Sequence, residues 1–208
     1  RWYKRDSEFE NQMTNDQRAS WLVNRIVGKS LLDVGCNEGM FAMIRQFGVL
    51  TVGVDINRWK TNYDYFVQAD AHHLPFRTSS FDTVIIAEVL EHVEDPIHVL
   101  REAGRVAKER VLFSTPNEYL WSAEKKPFMS VEEAAGKENK TALEYFHQGT
   151  INNPKCLFGF EENEFLFHRH IRYWTREELT EVIKKAGLDG VIEDLIYDGW
   201  AYFVGTLK

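Results

Sequence analysis

Ten residues, Ser30-Leu31-Leu32-Asp33-Val34-Gly35-Cys36-Asn37-Glu38-Gly39, restrict what this chain can fold into more than any other stretch. Leu31, Leu32 and Val34 form an apolar run of the length and make-up of a buried strand. Asp33 sits near its end, two glycines follow within a tight turn, and Met40, Phe41, Ile44 and Phe47 then begin an amphipathic segment read as a helix. Strand, glycine turn and helix in succession let a ligand approach the backbone where side chains would otherwise block it. An acid at the strand tip is out of place beside a phosphate and well placed beside a cation. A dinucleotide turn would read G-x-G-x-x-G, with the pyrophosphate on a helix N-terminus. Here the spacing is G-x-x-x-G, Asn37 stands where a middle glycine would be, and Glu38 would meet a diphosphate with like charge. Asn37 keeps the turn feasible, because Asn tolerates the left-handed backbone better than most residues.

Further strands follow at intervals suited to alternating α/β units. Leu50 to Asp55 reads as a second buried strand ending in an acid, about twenty residues past the turn, where an acid hydrogen-bonds a ribose diol. That geometry serves a nicotinamide dinucleotide and an adenosylmethionine equally. A third strand is expected at Phe66 to Ala69, ending at Asp70-Ala71, and a fourth at Phe81 to Ala87, nearly all apolar and followed by Glu88. Asp95 and Pro96 suit the N-cap and first turn of a helix over Ile97 to Val106, and Val111 to Thr115 is the fifth strand. Four strand tips thus carry Asp33, Asp55, Asp70 and Glu88, which a parallel sheet would gather at one edge, where open α/β sheets bind ligands. Near the N-terminus a helix is expected between Asp16 and Val27, packed on the sheet or acting as a lid. Later, Thr175 and Glu178 form a capping box for a helix with Leu179, Val182, Ile183 and Ala186 inward, ended by Gly187. Val191 to Ile196 and Ala201 to Leu207 close the pattern as two strands about an Asp198-Gly199 turn.

These residues carry a resemblance. Asp33-x-Gly35-x-Asn37-x-Gly39 resembles the D/E-x-G-x-G-x-G motif of the class I S-adenosylmethionine-dependent methyltransferases, with Asn37 the departure. Asp70 to Phe76 matches the D-A-x-x-L-P-F run of many of them. Phe81 to Pro96, F-D-x-V-x-x-x-E-V-L-E-H-V-x-D-P, followed by Ser114-Thr115-Pro116-Asn117, resembles the type 11 group, which includes ubiquinone-pathway O-methyltransferases. The similarity spans roughly residues 28 to 117. It implies a Rossmann-like α/β fold whose seven-stranded, mostly parallel sheet, flanked by helices, has the order 3-2-1-4-5-7-6 with the last-formed strand antiparallel. It further implies S-adenosylmethionine as cofactor, held by Asp33, Gly35, Cys36, Asn37, Gly39, Asp55, Ile56, Asp70, Ala71 and Glu88, with Asp70 and Ala71 facing the adenine and Glu91 starting a helix.

Composition narrows the class. The chain has 208 residues, a net charge of −7 and two cysteines, Cys36 and Cys156. One domain over residues 1–208 is the default at this size. The acidic balance disfavours nucleic acid held by general electrostatics. Two distant cysteines make no disulfide framework, and a reduced, cytoplasmic setting is expected, with no apolar run long enough to span a membrane. The chain opens at Arg1 without methionine, which leaves room for residues upstream. Residues 118–170 interrupt the α/β pattern with many aromatics and an expected helix over Ala134 to Phe146, capped by Ser130 and Glu133. They read as a satellite core or as a lid shaping an acceptor site.

Methyl transfer to oxygen or nitrogen calls for alignment and, for some acceptors, a base near neutral pKa. His92, just past the fourth strand, and His168 and His170, at the end of the insertion, are the candidates, with His170 preferred of the pair, although His92 is equally read as a helix-start histidine. Glu88, Glu91, His92 and His170 are also candidates to hold Mg²⁺ or Mn²⁺. The E-x-x-E-H run, with T-P-N and H-x-R-x-W-T-R, resembles the metal-dependent 2′-O-methyltransferases of small-RNA 3′ ends. His72 and His73 form a weaker metal suggestion, since neighbours on a loop seldom converge on one ion. The expected function is methyl transfer to a small-molecule acceptor; an RNA 2′-O-methyltransferase and a non-catalytic cofactor-binding module are the alternatives.

Overall fold

Leu31, Leu32 and Val34 are fully buried, as a strand covered on both faces requires. The computed structural model describes residues 16–117, Leu120 and residues 172–208. The strands β1 (Ser30–Val34), β2 (Leu50–Asp55), β3 (Tyr65–Gln68), β4 (Phe81–Ala87), β5 (Ala107–Pro116), β6 (Gly190–Tyr197) and β7 (Trp200–Leu207) form one sheet. Its order is β3-β2-β1-β4-β5-β7-β6, as the resemblance implies. Neighbours from β3 to β5 pair in parallel, and β7 is antiparallel to both β5 and β6.

Strand periodicity distributes the core. Leu32 and Val34, with Val84, Ile86, Val111 and Phe113, face α2 (Pro96–Val106) and α3 (Arg176–Lys185), which contribute Val99, Leu100, Ala103, Leu179 and Ile183. Leu31, Ile85 and Leu112 face the other way, onto Ala19, Leu22 and Val23 of α1 (Gln17–Val23) and onto Phe41 and Ile44. Both faces of the sheet are therefore covered, which leaves its carboxyl edge as the place for a ligand.

The helix signals hold with adjusted lengths. Asp16 caps α1 by accepting from the Ala19 amide, and α1 ends at Val23, earlier than the expected Val27. Val27 is instead tied to the sheet: its amide donates to the Thr83 hydroxyl (3.0 Å), which donates to the Val27 carbonyl (2.8 Å). Asp95 caps α2 and Pro96 occupies its first turn. Both halves of the Thr175–Glu178 capping box form at α3. Asp198 (φ 47°) and Gly199 (φ 75°) are both left-handed, as a two-residue hairpin turn between antiparallel strands demands.

Three expectations change. The amphipathic segment after the glycine turn is a 3₁₀ helix, Ala42–Phe47, closed by left-handed Gly48. A 3₁₀ helix rises about 2.0 Å per residue against 1.5 Å in an α-helix, so few residues cover more of the strand's length. β3 begins and ends one residue earlier than Phe66 to Ala69. β5 starts at Ala107, where α2 ends, because the chain turns directly into pairing with Phe81 across a register shift. The expected helix over 134–146, His168 and His170 lie outside the described residues.

Gly53, in the middle of β2, leaves space that its neighbours fill. A Cβ there would stand 2.5 Å from Tyr63 Cδ2 and 2.8 Å from Cys36 Sγ. Gly53→Ala is expected to destabilise the protein by about 1–3 kcal/mol, measured by urea unfolding with an unchanged m-value.

Candidate cofactor site

The four acids at the strand tips line one cavity of about 1380 Å³ at the carboxyl edge of the sheet. The wall also includes Gly35, Cys36 and Asn37 of the glycine turn, Ile56, Ala71, His72 and His92, whereas Gly39 of the turn is not part of it. The turn needs its residue types: Gly35 (φ 72°), Asn37 (φ 46°) and Gly39 (φ 103°) are all left-handed, where only Gly and, next best, Asn sit easily. The amides of Gly35 and Cys36 donate to the Val54 carbonyl at 2.8 and 3.1 Å, which ties the turn to β2.

Asp55 is held by two backbone donors, the Asn37 amide on Oδ2 (3.0 Å) and the Asn57 amide on Oδ1 (2.8 Å). Each carboxylate oxygen has further acceptor capacity, so a ribose diol can donate to it. Asp70 is fixed similarly: Oδ1 accepts from the His72 amide (2.9 Å) and lies 2.7 Å from His72 Nδ1. These contacts, the amide first, hold the Asp70 carboxyl below its ordinary range. The residues present thus fit an adenosine ligand.

Asp33 is different, being only 2% exposed and accepting a hydrogen bond from the Tyr63 hydroxyl. Burial raises its pKa to about 7, opposed by the Tyr63 hydrogen bond and reinforced by the Asp55 charge. Burial, with Asp33 and Asp55 nearby, also pushes the Cys36 thiol up, so Cys36 is a packing thiol at the cavity wall.

At the other end of the cavity, Glu88 adopts φ 55°. Its Oε1 accepts from the Ser114 hydroxyl (2.8 Å) and its Oε2 pairs with Arg18 Nη1 (3.2 Å). Arg18 also pairs with Asp16 (3.1 Å) and lies over the Tyr202 ring, 5.2 Å from its centroid. Burial works against the Arg18 charge, and the Glu88 and Asp16 carboxylates more than offset it. The helix α1 packs on the sheet, and Arg18 reaches the cavity wall.

His92 lines the cavity with its Nε2 3.8 Å from Glu91 Oε1. Glu91 is fully buried and accepts from the Thr115 hydroxyl (2.9 Å). It does not start a helix as the resemblance implied; it lies in a turn, and α2 begins only at Pro96, where Asp95 supplies the cap. Likewise His92 is no helix-start residue. Among the described residues no group of three His, Cys, Asp or Glu side chains is arranged to hold a metal ion. Glu88, one of the expected ligands, has both oxygens engaged by Ser114 and Arg18.

Residues 13–193 match the family described as a methyltransferase domain. The chain belongs to that family. The methyltransferase domain is 33% identical over 147 residues to the ubiquinone biosynthesis O-methyltransferase of Pseudomonas fluorescens strain Pf0-1, covering 59% of this chain and 62% of that relative. The match therefore spans about three fifths of the relative's length. Among solved structures, the cyclase SpnF aligns with TM-score 0.61 at 16% identity, over 100% of this chain and 86% of that one. A Burkholderia thailandensis 1,6-didemethyltoxoflavin-N1-methyltransferase, with bound 1,6-didemethyltoxoflavin and S-adenosylhomocysteine, aligns with TM-score 0.57 at 16% identity, over 96% and 82%. The domain thus has the Rossmann-like fold of these proteins.

Spacing alone did not single out Tyr63 or Arg18; both reach the site from segments outside the strand-tip pattern. Asp33 yields a test of the site's electrostatics. A buried acid with a folded-state pKa raised above its unfolded value stabilises the fold at low pH and forfeits that stability as pH rises toward about 7. Asp33→Asn is therefore expected to raise Tm at pH 8 by roughly 4 °C or more and to change it little near pH 4, read by thermal unfolding at both pH values.

Proposed function

We propose that this domain transfers a methyl group from S-adenosylmethionine to an oxygen or nitrogen of a small-molecule acceptor. The observation that carries this reading is the meeting of Asp33, Asp55, Asp70 and Glu88 around a left-handed glycine turn in one cavity. Family membership and the O- and N-methyltransferase names of its relatives support it. When bound, S-adenosylmethionine supplies a methyl already activated on a sulfonium, so transfer is an in-line displacement.

The chain's own residues then bind, orient and take up a proton. Gly35, Cys36, Asn37 and Gly39 offer a close backbone approach, and Asp55 accepts from the ribose hydroxyls. Asp70 and Ala71 meet the adenine, with exposed Ile56 supplying apolar contact. Glu88, locked by Arg18 and Ser114, bounds the end toward the acceptor. His92, backed by buried Glu91, is the base candidate for an acceptor proton, and His170 is the second candidate from sequence. Metal ligation draws no support from this arrangement, since Glu88 is already bound to Arg18 and Ser114. A cytoplasmic location belongs to the same reading; among the described residues no helix is long and apolar enough to cross a membrane.

Calorimetric titration tests the reading. S-adenosylmethionine and S-adenosylhomocysteine are expected to bind at micromolar levels, with no response to NAD and no dependence on Mg²⁺ or Mn²⁺. Asp55→Ala should weaken binding roughly tenfold to a hundredfold, as loss of hydrogen bonds to a charged acceptor does. Failure of both adenosyl ligands to bind the unaltered protein would sink the proposal, and methyl transfer to an acceptor separates an enzyme from a binding module.

A further inference from the structure

Tyr63 belongs to the segment between β2 and β3 and lies 30 residues from Asp33 in sequence, yet its hydroxyl donates to Asp33 Oδ2 at the buried wall of the cavity. Its ring is held where glycines make room. A Cβ on Gly53 would stand 2.5 Å from its Cδ2, and one on Gly39 would stand 3.0 Å from its Cε2. Cys36 and Ala42 pack against it, and Tyr63 itself is only 7% exposed. The phenol is thus wedged between the glycine turn and β2, and its hydroxyl is committed to the acid.

The titratable groups around Asp33 are Tyr63 before β3 and Asp55 at the tip of β2, which act on it, and Cys36 on the glycine turn, on which it acts. The Asp55 charge disfavours ionisation of Asp33, the Cys36 thiol is neutral, and Tyr63 alone of the three donates to the acid. A cation entering the cavity would alter that balance in favour of the carboxylate.

We propose that Tyr63 is a positioning residue for the methyl donor: its hydroxyl holds Asp33 ready to lose its proton when the sulfonium binds, which makes donor affinity rise with pH. The product's sulfur carries no charge, so product binding depends on pH far less. This inference rests on the donor reading given above. Burial pushes the Asp33 carboxyl up to about 7 while the Tyr63 hydrogen bond favours its charged form, which sets the window in which the coupling appears. The proton released on binding passes to solvent.

The experiment is calorimetric titration with S-adenosylmethionine and S-adenosylhomocysteine between about pH 5 and 9, in buffers of contrasting ionisation enthalpy, which counts released protons. In the unaltered protein, donor binding should release a larger fraction of a proton near pH 7 than product binding does. Tyr63→Phe keeps the ring and removes the donor; it should move the release maximum upward by roughly one pH unit while donor affinity at the alkaline end stays within about threefold. Asp33→Asn should abolish the release that Tyr63→Phe displaces. A Tyr63→Phe profile superimposed on the unaltered one, or an equal loss of affinity at every pH, overturns the inference, as does unchanged release in Asp33→Asn. No binding heat with either ligand overturns the donor reading itself.

Discussion

A carboxyl group buried at the end of the central strand is costly unless its surroundings answer it, and much of the ligand edge is arranged about that group. Asp33 belongs to β1 and is paired with Gly53 of β2, so its acid points to the sheet face where Gly53 leaves room, close to the carboxyl edge. There the glycine turn closes over it, Gly53 leaves a space beside it, and Tyr63 fills that space with a donor. The other strand-tip acids are satisfied by backbone amides or by Arg18 and Ser114. Asp33 is therefore the acid whose charge is least settled in the protein alone, and the one most open to a ligand's influence.

Most of the sheet was legible because its physics is local. Apolar runs bounded by acids, glycines and prolines located β1, β2 and β4, and the Asp95-Pro96 and Thr175–Glu178 signals located two helix starts. What was not legible depends on neighbours. The end of α1 is set by Thr83 holding Val27 to the sheet, and the start of β5 by pairing with Phe81, partners far away in the chain. The 3₁₀ form of Ala42–Phe47 follows from how little chain lies between Gly39 and Gly48, which an apolar periodicity does not report.

The site divides along the same line. The strand-tip acids could be read because a parallel sheet brings its carboxyl ends together whatever the loops do. Tyr63 and Arg18 could not, because nothing in their spacing marks them and only tertiary approach brings them to Asp33 and Glu88. The misplacement of Glu91 has a like cause. Its buried contact with Thr115 on β5 holds it in the turn, whereas a motif seen in isolation suggests the start of a helix.

The order of the last strands has a consequence for how the structure opens. β6 has β7 as its neighbour in the sheet, while β7 lies between β6 and β5. The two are joined by the two-residue Asp198-Gly199 turn and pair along their whole length as a hairpin, with β7 alone also pairing with β5. Their amide hydrogens should then exchange with solvent as one cooperative unit, in a partial opening that leaves β1, β2 and β4, and the ligand edge they form, still paired.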